Sequence, residues 1–189
     1  MQHTAFITGT NRGIGLSLTK HYLGRGWKVL AACREPSPAL MESGATVITG
    51  IDVTKPDSLE LLTDKLAHTR IDLLINNAGI LRNEVLGHLN FDTIDAQFAV
   101  NALGPLRIIE HVLNNLGEHA KVAMITSRMG SIADNSSGGR YGYRMSKAAL
   151  NIAAVSMAHD LKSRGIAVGI IHPGLVGTDM ILSLIHISE

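Results

Sequence analysis

Short apolar runs alternate with amphipathic stretches along the whole chain. TAFITG (4–9) is β-rich and ends in glycine, and IGLSLTKHYLGRG (14–26) carries apolar residues at helical spacing and stops at Gly26. KVLAAC (28–33) and ATVITGID (45–52) read as strands, and KPDSLELLTDKLAH (55–68), with apolar residues at 59, 62 and 66, as a helix. IDLLINNAG (71–79) is a buried strand running into a turn. A helical region follows over about 92–116, with a break or kink expected at Pro105. KVAMITS (121–127) is a fifth strand, 141–164 a long helix and IAVGIIHPG (166–174) a sixth strand. Continuous apolar strands separated by helices predict a parallel sheet covered on both faces, so the expected fold is α/β and doubly wound, a Rossmann fold in a single domain.

Composition narrows the function. The 189 residues suit one domain, and 46% hydrophobic with 17% charged residues describes a well-cored chain. A net charge of +1 without a basic run argues against nucleic acid binding. Cys33 is the only cysteine, so no disulfide framework exists; with no signal-peptide pattern, that points to a cytoplasmic protein. No apolar run approaches the ~20 residues of a membrane span. Nine histidines show no metal-ligand spacing, so no metal site is expected.

The first strand opens into TGTNRGIG (8–15). Gly9, Gly13 and Gly15 fall where a chain turns tightly, approaches a phosphate and packs a helix on a sheet. The helix N-terminus that follows favours an anion. The G-x3-G-x-G spacing departs from the usual dinucleotide fingerprint, and a plain tight turn is the lesser alternative for the motif in isolation. The choice of dinucleotide turns on the second strand. NAD sites place an acid near its end, but here Cys33 takes that slot, Arg34 follows, and Arg12 lies in the glycine turn. Two guanidinium groups suit a 2′-phosphate and favour NADP(H), although Glu35 could neutralise Arg34 and both arginines could simply be solvated.

In RYGYRMSKAAL (140–150), Tyr143 and Lys147 are four apart and share a helix face, whereas Tyr141 points elsewhere. A nearby ammonium is expected to lower the phenol's pKa from about 10 and make it a proton donor and acceptor. In isolation the pair reads as an ordinary amphipathic helix. It is not isolated: NNAG (76–79), ITSRMGSI (125–132) and HPGLVGTDM (172–180) all leave the C-terminal ends of strands, the edge where open parallel sheets bind ligands.

T-G-x3-G-x-G, N-N-A-G, Y-x-x-x-K and P-G-x-V-x-T occur in that order, and the chain resembles the short-chain dehydrogenase/reductase family over about residues 3–180. YRMSKAALN and HPGLVGTDM resemble its small carbonyl reductases of the C-factor and sniffer kind. The resemblance implies that Tyr143 is the acid/base and that Lys147 tunes it and binds the nicotinamide ribose. Ser127 would bond the substrate oxygen, and Asn101 would hold a water in a relay to Lys147. Gly9, Asn11, Arg12, Ile14, Arg34, Asp52, Val53, Asn77, Ala78, Gly79, Pro173, Val176 and Thr178 would line the cofactor, with Asp52 at the adenine amino group and Thr178 at the carboxamide.

The serine assignment leaves a choice. Ser131 is twelve residues before Tyr143, the family's usual spacing, and Ser127 is sixteen before it. Ser127 is preferred because it stands at the strand exit, and DNSSGGR (134–140) can absorb an insertion.

The expected activity is oxidoreduction of a small-molecule carbonyl or alcohol. A non-catalytic NADP(H)-binding regulator and an inactive truncated fragment are the alternatives. The family continues past T-D-M with substrate-covering helices, a further strand and a tail. This chain is expected to lack them, with 1–180 as the dinucleotide-binding domain and 181–189 as an atypical tail. LSLIHISE (182–189) can be written in the codons of a transposon-end sequencing adapter. A homodimer or homotetramer is expected only of a full-length form.

Overall fold

The computed structural model describes residues 2–174. Six parallel strands form one sheet: β1 (Thr4–Thr8), β2 (Lys28–Ala32), β3 (Thr46–Ile48), β4 (Ile71–Asn76), β5 (Leu116–Ile125) and β6 (Ala167–Ile171). Their order across the sheet is β3-β2-β1-β4-β5-β6. The order reverses beside β1, where β2 and β3 lie on one side and β4 to β6 on the other. That switch point opens a crevice at the C-terminal ends of the strands. This is the doubly wound α/β fold expected from the alternation of apolar runs.

Period-two alternation divides the core between the sheet's faces. Phe6, Leu30, Leu74, Val122 and Met124 point to one face, where they meet Leu59 and Leu62 of α3 (Pro56–Lys65), Ile108 and Val112 of α5 (Gly104–Val112), and Leu150, Ala154 and Met157 of α6 (Tyr141–Asp160). Ala5, Ile7, Val29, Ala31, Leu73 and Ile75 point to the other. There they pack with α1 (Gly13–Gly24) and with Leu40 of α2 (Pro38–Met41), a single turn inside the polar 34–44 connection. Burying each large aliphatic side chain contributes about 1.5–3 kcal/mol before chain entropy is counted.

The helical region expected near 92–116 is built in three pieces. α4 (Phe91–Phe98) runs into a π-helical turn (Ala99–Leu103) and then into α5. Pro105 lacks the N–H that an α-helix would donate to the Asn101 carbonyl, and the backbone widens there instead of breaking. Nη1 of Arg107 donates to the Ala99 carbonyl (3.3 Å). The turn keeps α4 and α5 continuous and sets Asn101, fully buried, against the end of β4.

Among the described residues β6 is an outer strand, with Ile170 45% and Ile171 43% exposed. No described helix is long and apolar enough to cross a membrane, and no described cluster of His, Cys, Asp and Glu could hold a metal ion.

Candidate active site

A cavity of about 530 Å³ occupies the switch point. The β1–α1 turn contributes Gly9, Asn11, Arg12, Gly13 and Ile14; the end of β2 contributes Arg34, and the segment after β3 contributes Asp52 and Val53. Asn77, Ala78 and Gly79 come from the end of β4, Tyr143 and Lys147 from α6, and Pro173 from the segment after β6. Residues far apart in sequence thus meet at one rim. Val176 and Thr178 lie outside the described residues.

Gly9 and Gly13 have φ of +69° and +55°, in the left-handed region that side chains disfavour. Gly15 serves packing instead and does not line the cavity. A Cβ there would collide with the Gly9 carbonyl oxygen and stand 2.6 Å from Asn77 Nδ2. The side chain of Asn77 locks the same turn, donating to the carbonyls of Thr8 (3.0 Å) and Gly9 (3.1 Å). The Thr8 hydroxyl oxygen accepts the amides of Asn77 and Ala78, each at 3.1 Å. α1 has no acidic residue in its first turn, so its positive end faces the cavity without a competing carboxylate of its own.

Cys33, in the slot where an acid would grip ribose hydroxyls, is pushed up by burial, partly offset by a bond with Thr10, and stays a neutral thiol. Arg34 is exposed at the rim. Burial alone would raise Asp52. The amide (2.9 Å) and hydroxyl (2.7 Å) of Thr54, with the charges of Arg34 and Lys55, outweigh that and hold it below the usual carboxylate value. It is ionised at neutral pH and can accept from an amino group.

Tyr143 and Lys147 are 8% and 4% exposed and share the inner face of α6. The Lys147 ammonium stands 5.8 Å from the centre of the Tyr143 ring and donates to the Ile125 carbonyl at 2.9 Å. Burial pulls Lys147 down from 10.5 to about 8. Tyr143 moves in the direction opposite to that expected from its neighbour: burial pushes the phenol up, and a hydrogen bond with Ser127 offsets only part of the rise. The physical reason is that desolvation disfavours both charged forms, phenolate and ammonium alike.

The same contact bears on the choice of serine. Ser127 reaches the phenol, and its oxygen also accepts the Met129 amide (3.2 Å). Ser131 instead accepts the Asp134 amide in an exposed loop (3.3 Å). Asn101 lies behind the cavity wall. Its Oδ1 accepts the Ile80 amide (2.8 Å), and its Nδ2 donates to the Ile80 carbonyl (2.8 Å) and to Ser146 Oγ (3.0 Å). Both amide hydrogens are committed, so the side chain can hold a water only as an acceptor. Sequence reasoning passed over Thr8, Ile80 and Thr126, which also line the cavity, and Ser146, which carries Asn101. Thr8 opens the T-G-x3-G-x-G run, but its partners, the amides of Asn77 and Ala78, are distant in sequence, as is Asn101, the partner of Ile80 and Ser146.

The chain belongs to the short chain dehydrogenase family, whose profile matches residues 3–186. It is 41% identical over 179 residues to 1-hydroxy-2-glutathionyl-2-methyl-3-butene dehydrogenase of a Rhodococcus species, covering 94% of this chain and 79% of that protein. Over 113 residues it is 49% identical to C-signal of Myxococcus xanthus, covering 58% of this chain and 68% of the relative. Among solved structures it resembles a carbonyl reductase from Pseudomonas aeruginosa in complex with NADP. The TM-score is 0.83 at 32% identity, over 93% of this chain and 84% of that one.

Proposed function

We propose that the protein is an NADP(H)-dependent oxidoreductase that interconverts a small-molecule carbonyl and the corresponding alcohol by hydride transfer. The observation that carries this reading is the pairing of Tyr143 and Lys147, both buried, at the rim of the cavity that the glycine turn also lines.

The cavity fits the cofactor on its own chemistry. A Cβ on Gly9 would lie 2.8 Å from the Ala78 Cα, so the backbone cradle is kept bare at that point. The slot at Cys33 carries no negative charge, and Arg12 and Arg34 stand at the rim where a 2′-phosphate needs cations. The Pseudomonas carbonyl reductase with bound NADP supports the same choice.

NADP(H) supplies the hydride when bound. The residues of this chain manage the proton and the oxygen. The phenol, pushed up by burial, is protonated at neutral pH and can give its proton to a developing alkoxide. Ser127, bonded to that phenol, holds the substrate oxygen beside it. Lys147, at about 8, is still largely an ammonium at pH 7 and stabilises the phenolate as the proton leaves. Asn101 fixes the 78–80 loop against α6 and, as an acceptor, holds a water on the route by which the proton is replaced.

Tyr143→Phe is expected to slow NADPH-dependent ketone reduction by about 100-fold or more, the range for losing a positioned acid, while NADPH affinity changes less than about twofold. A variant that keeps parental kcat removes the phenol from the mechanism.

A further inference from the structure

Glu84 is a buried carboxylate, 1% exposed, in the segment between β4 and α4. Three neutral groups donate to it. Gln97 Nε2 (2.5 Å) reaches Oε1 from α4, where the Thr93 hydroxyl shares its one hydrogen between Oε1 (3.0 Å) and the Asn90 carbonyl (2.9 Å), and the amide of Gly142 reaches Oε2 at 3.1 Å from the first turn of α6. The backbone of the same residue is also engaged, its carbonyl accepting the Arg140 amide (2.9 Å). Gln97 is oriented in turn, its Oε1 accepting the Arg82 amide (2.8 Å) and its Nε2 donating to the Thr93 carbonyl (3.1 Å).

α6 needs such a partner. The first amides of a helix have no acceptor within it, and a side chain at the cap ordinarily provides one. Here the cap position is Arg140, in left-handed backbone (φ 52°, ψ 47°) and with no side-chain capping bond. A carboxylate from elsewhere in the fold takes that place, and the positive end of a 20-residue helix favours it. The first turn is also pressed closely on α4. A Cβ on Gly142 would stand 2.5 Å from Gln97 Nε2 and 2.9 Å from the Ile94 Cα. The residue gripped in this way is the immediate neighbour of Tyr143.

We propose that Glu84 is a positioning residue: by accepting the Gly142 amide it fixes the first turn of α6, and with it the Tyr143 phenol against Ser127. This rests on the reading of Tyr143 as the acid. A two-oxygen acceptor suits the site, because glutamine offers one oxygen for the donors at Gln97 and Gly142 and turns an NH2 toward one of them.

The test uses the full chain. In the parent, the Gly142 amide should be protected in hydrogen exchange well beyond an ordinary first-turn amide. In Glu84→Gln it should exchange about tenfold faster or more. kcat for ketone reduction should fall about tenfold or more, with NADPH affinity and substrate KM within about twofold. An unprotected Gly142 amide in the parent overturns the proposal, as does a parental kcat in the variant. So does a kcat loss matched by equal losses of NADPH affinity and melting temperature, the pattern of general loosening. Tyr143→Phe is run alongside. If that variant stays active, the reading of Tyr143 fails; if it is inactive and Glu84→Gln is not, only the role of Glu84 fails.

Discussion

Replacing Lys147 by methionine tests the electrostatics of the site without any assumption about substrate. The lysine is 4% exposed, and burial takes its pKa from 10.5 to about 8. At about 1.36 kcal/mol per pH unit, that drop corresponds to about 3 kcal/mol. The folded value lies below the unfolded one, so between pH 8 and 10.5 the unfolded chain binds more protons and stability rises with pH. The contribution is complete above 10.5 and is lost as the pH falls through 8. At pH 7 the folded parent therefore carries a buried ammonium at a cost of about 3 kcal/mol, and methionine removes that cost. The substitution also removes the 2.9 Å bond to the Ile125 carbonyl, a loss of about 1 kcal/mol. Lys147→Met should thus be more stable than the parent by about 2 kcal/mol at pH 7, or about 4–8 °C in melting temperature. The advantage should shrink through the window and reverse by about 1 kcal/mol above pH 10.5. Denaturant unfolding of both proteins from pH 6.5 to 10.5 measures the difference directly. A stability difference that stays constant across that range would refute the assignment of a desolvated lysine.

Two more substitutions probe the cofactor face. Gly15→Ala places a methyl group into the Gly9 carbonyl and near Asn77 Nδ2, so α1 must move off β1 and the NADPH-dependent rise in melting temperature should disappear. A parental thermal shift would show that the turn can relax. Arg34→Ala removes a rim cation, and the NADPH dissociation constant should rise about tenfold, near 1.4 kcal/mol, with little change for NADH. Equal weakening of both cofactors, measured by fluorescence titration, would mean that Arg34 does not read the 2′-phosphate.

The parts of this protein that were legible in the sequence are those whose physics is local. Apolar runs of strand length separated by helical periodicity lead to a parallel sheet, because no other arrangement covers both faces of such strands. The glycines of the first turn stand out because Gly9 and Gly13 need positive φ and Gly15 has no room for a side chain. The four-residue spacing of Tyr143 and Lys147 puts them on one face of any α-helix, wherever that helix lies. Tertiary structure decided the rest. Whether an ammonium lowers a phenol's pKa or both groups are simply desolvated depends on how deeply α6 is buried, and the helix pattern holds no measure of depth. Ser127 contacts Tyr143 although the spacing favours Ser131, because the path of the intervening loop, not its length, sets which serine arrives. The cap of α6 is the extreme case: Glu84 and Gly142 are 58 residues apart, and only the packing of α4 against α6 brings the carboxylate to the amide. Spacing rules reach as far as one element's own hydrogen bonds; a contact across that distance exists only once the chain has folded.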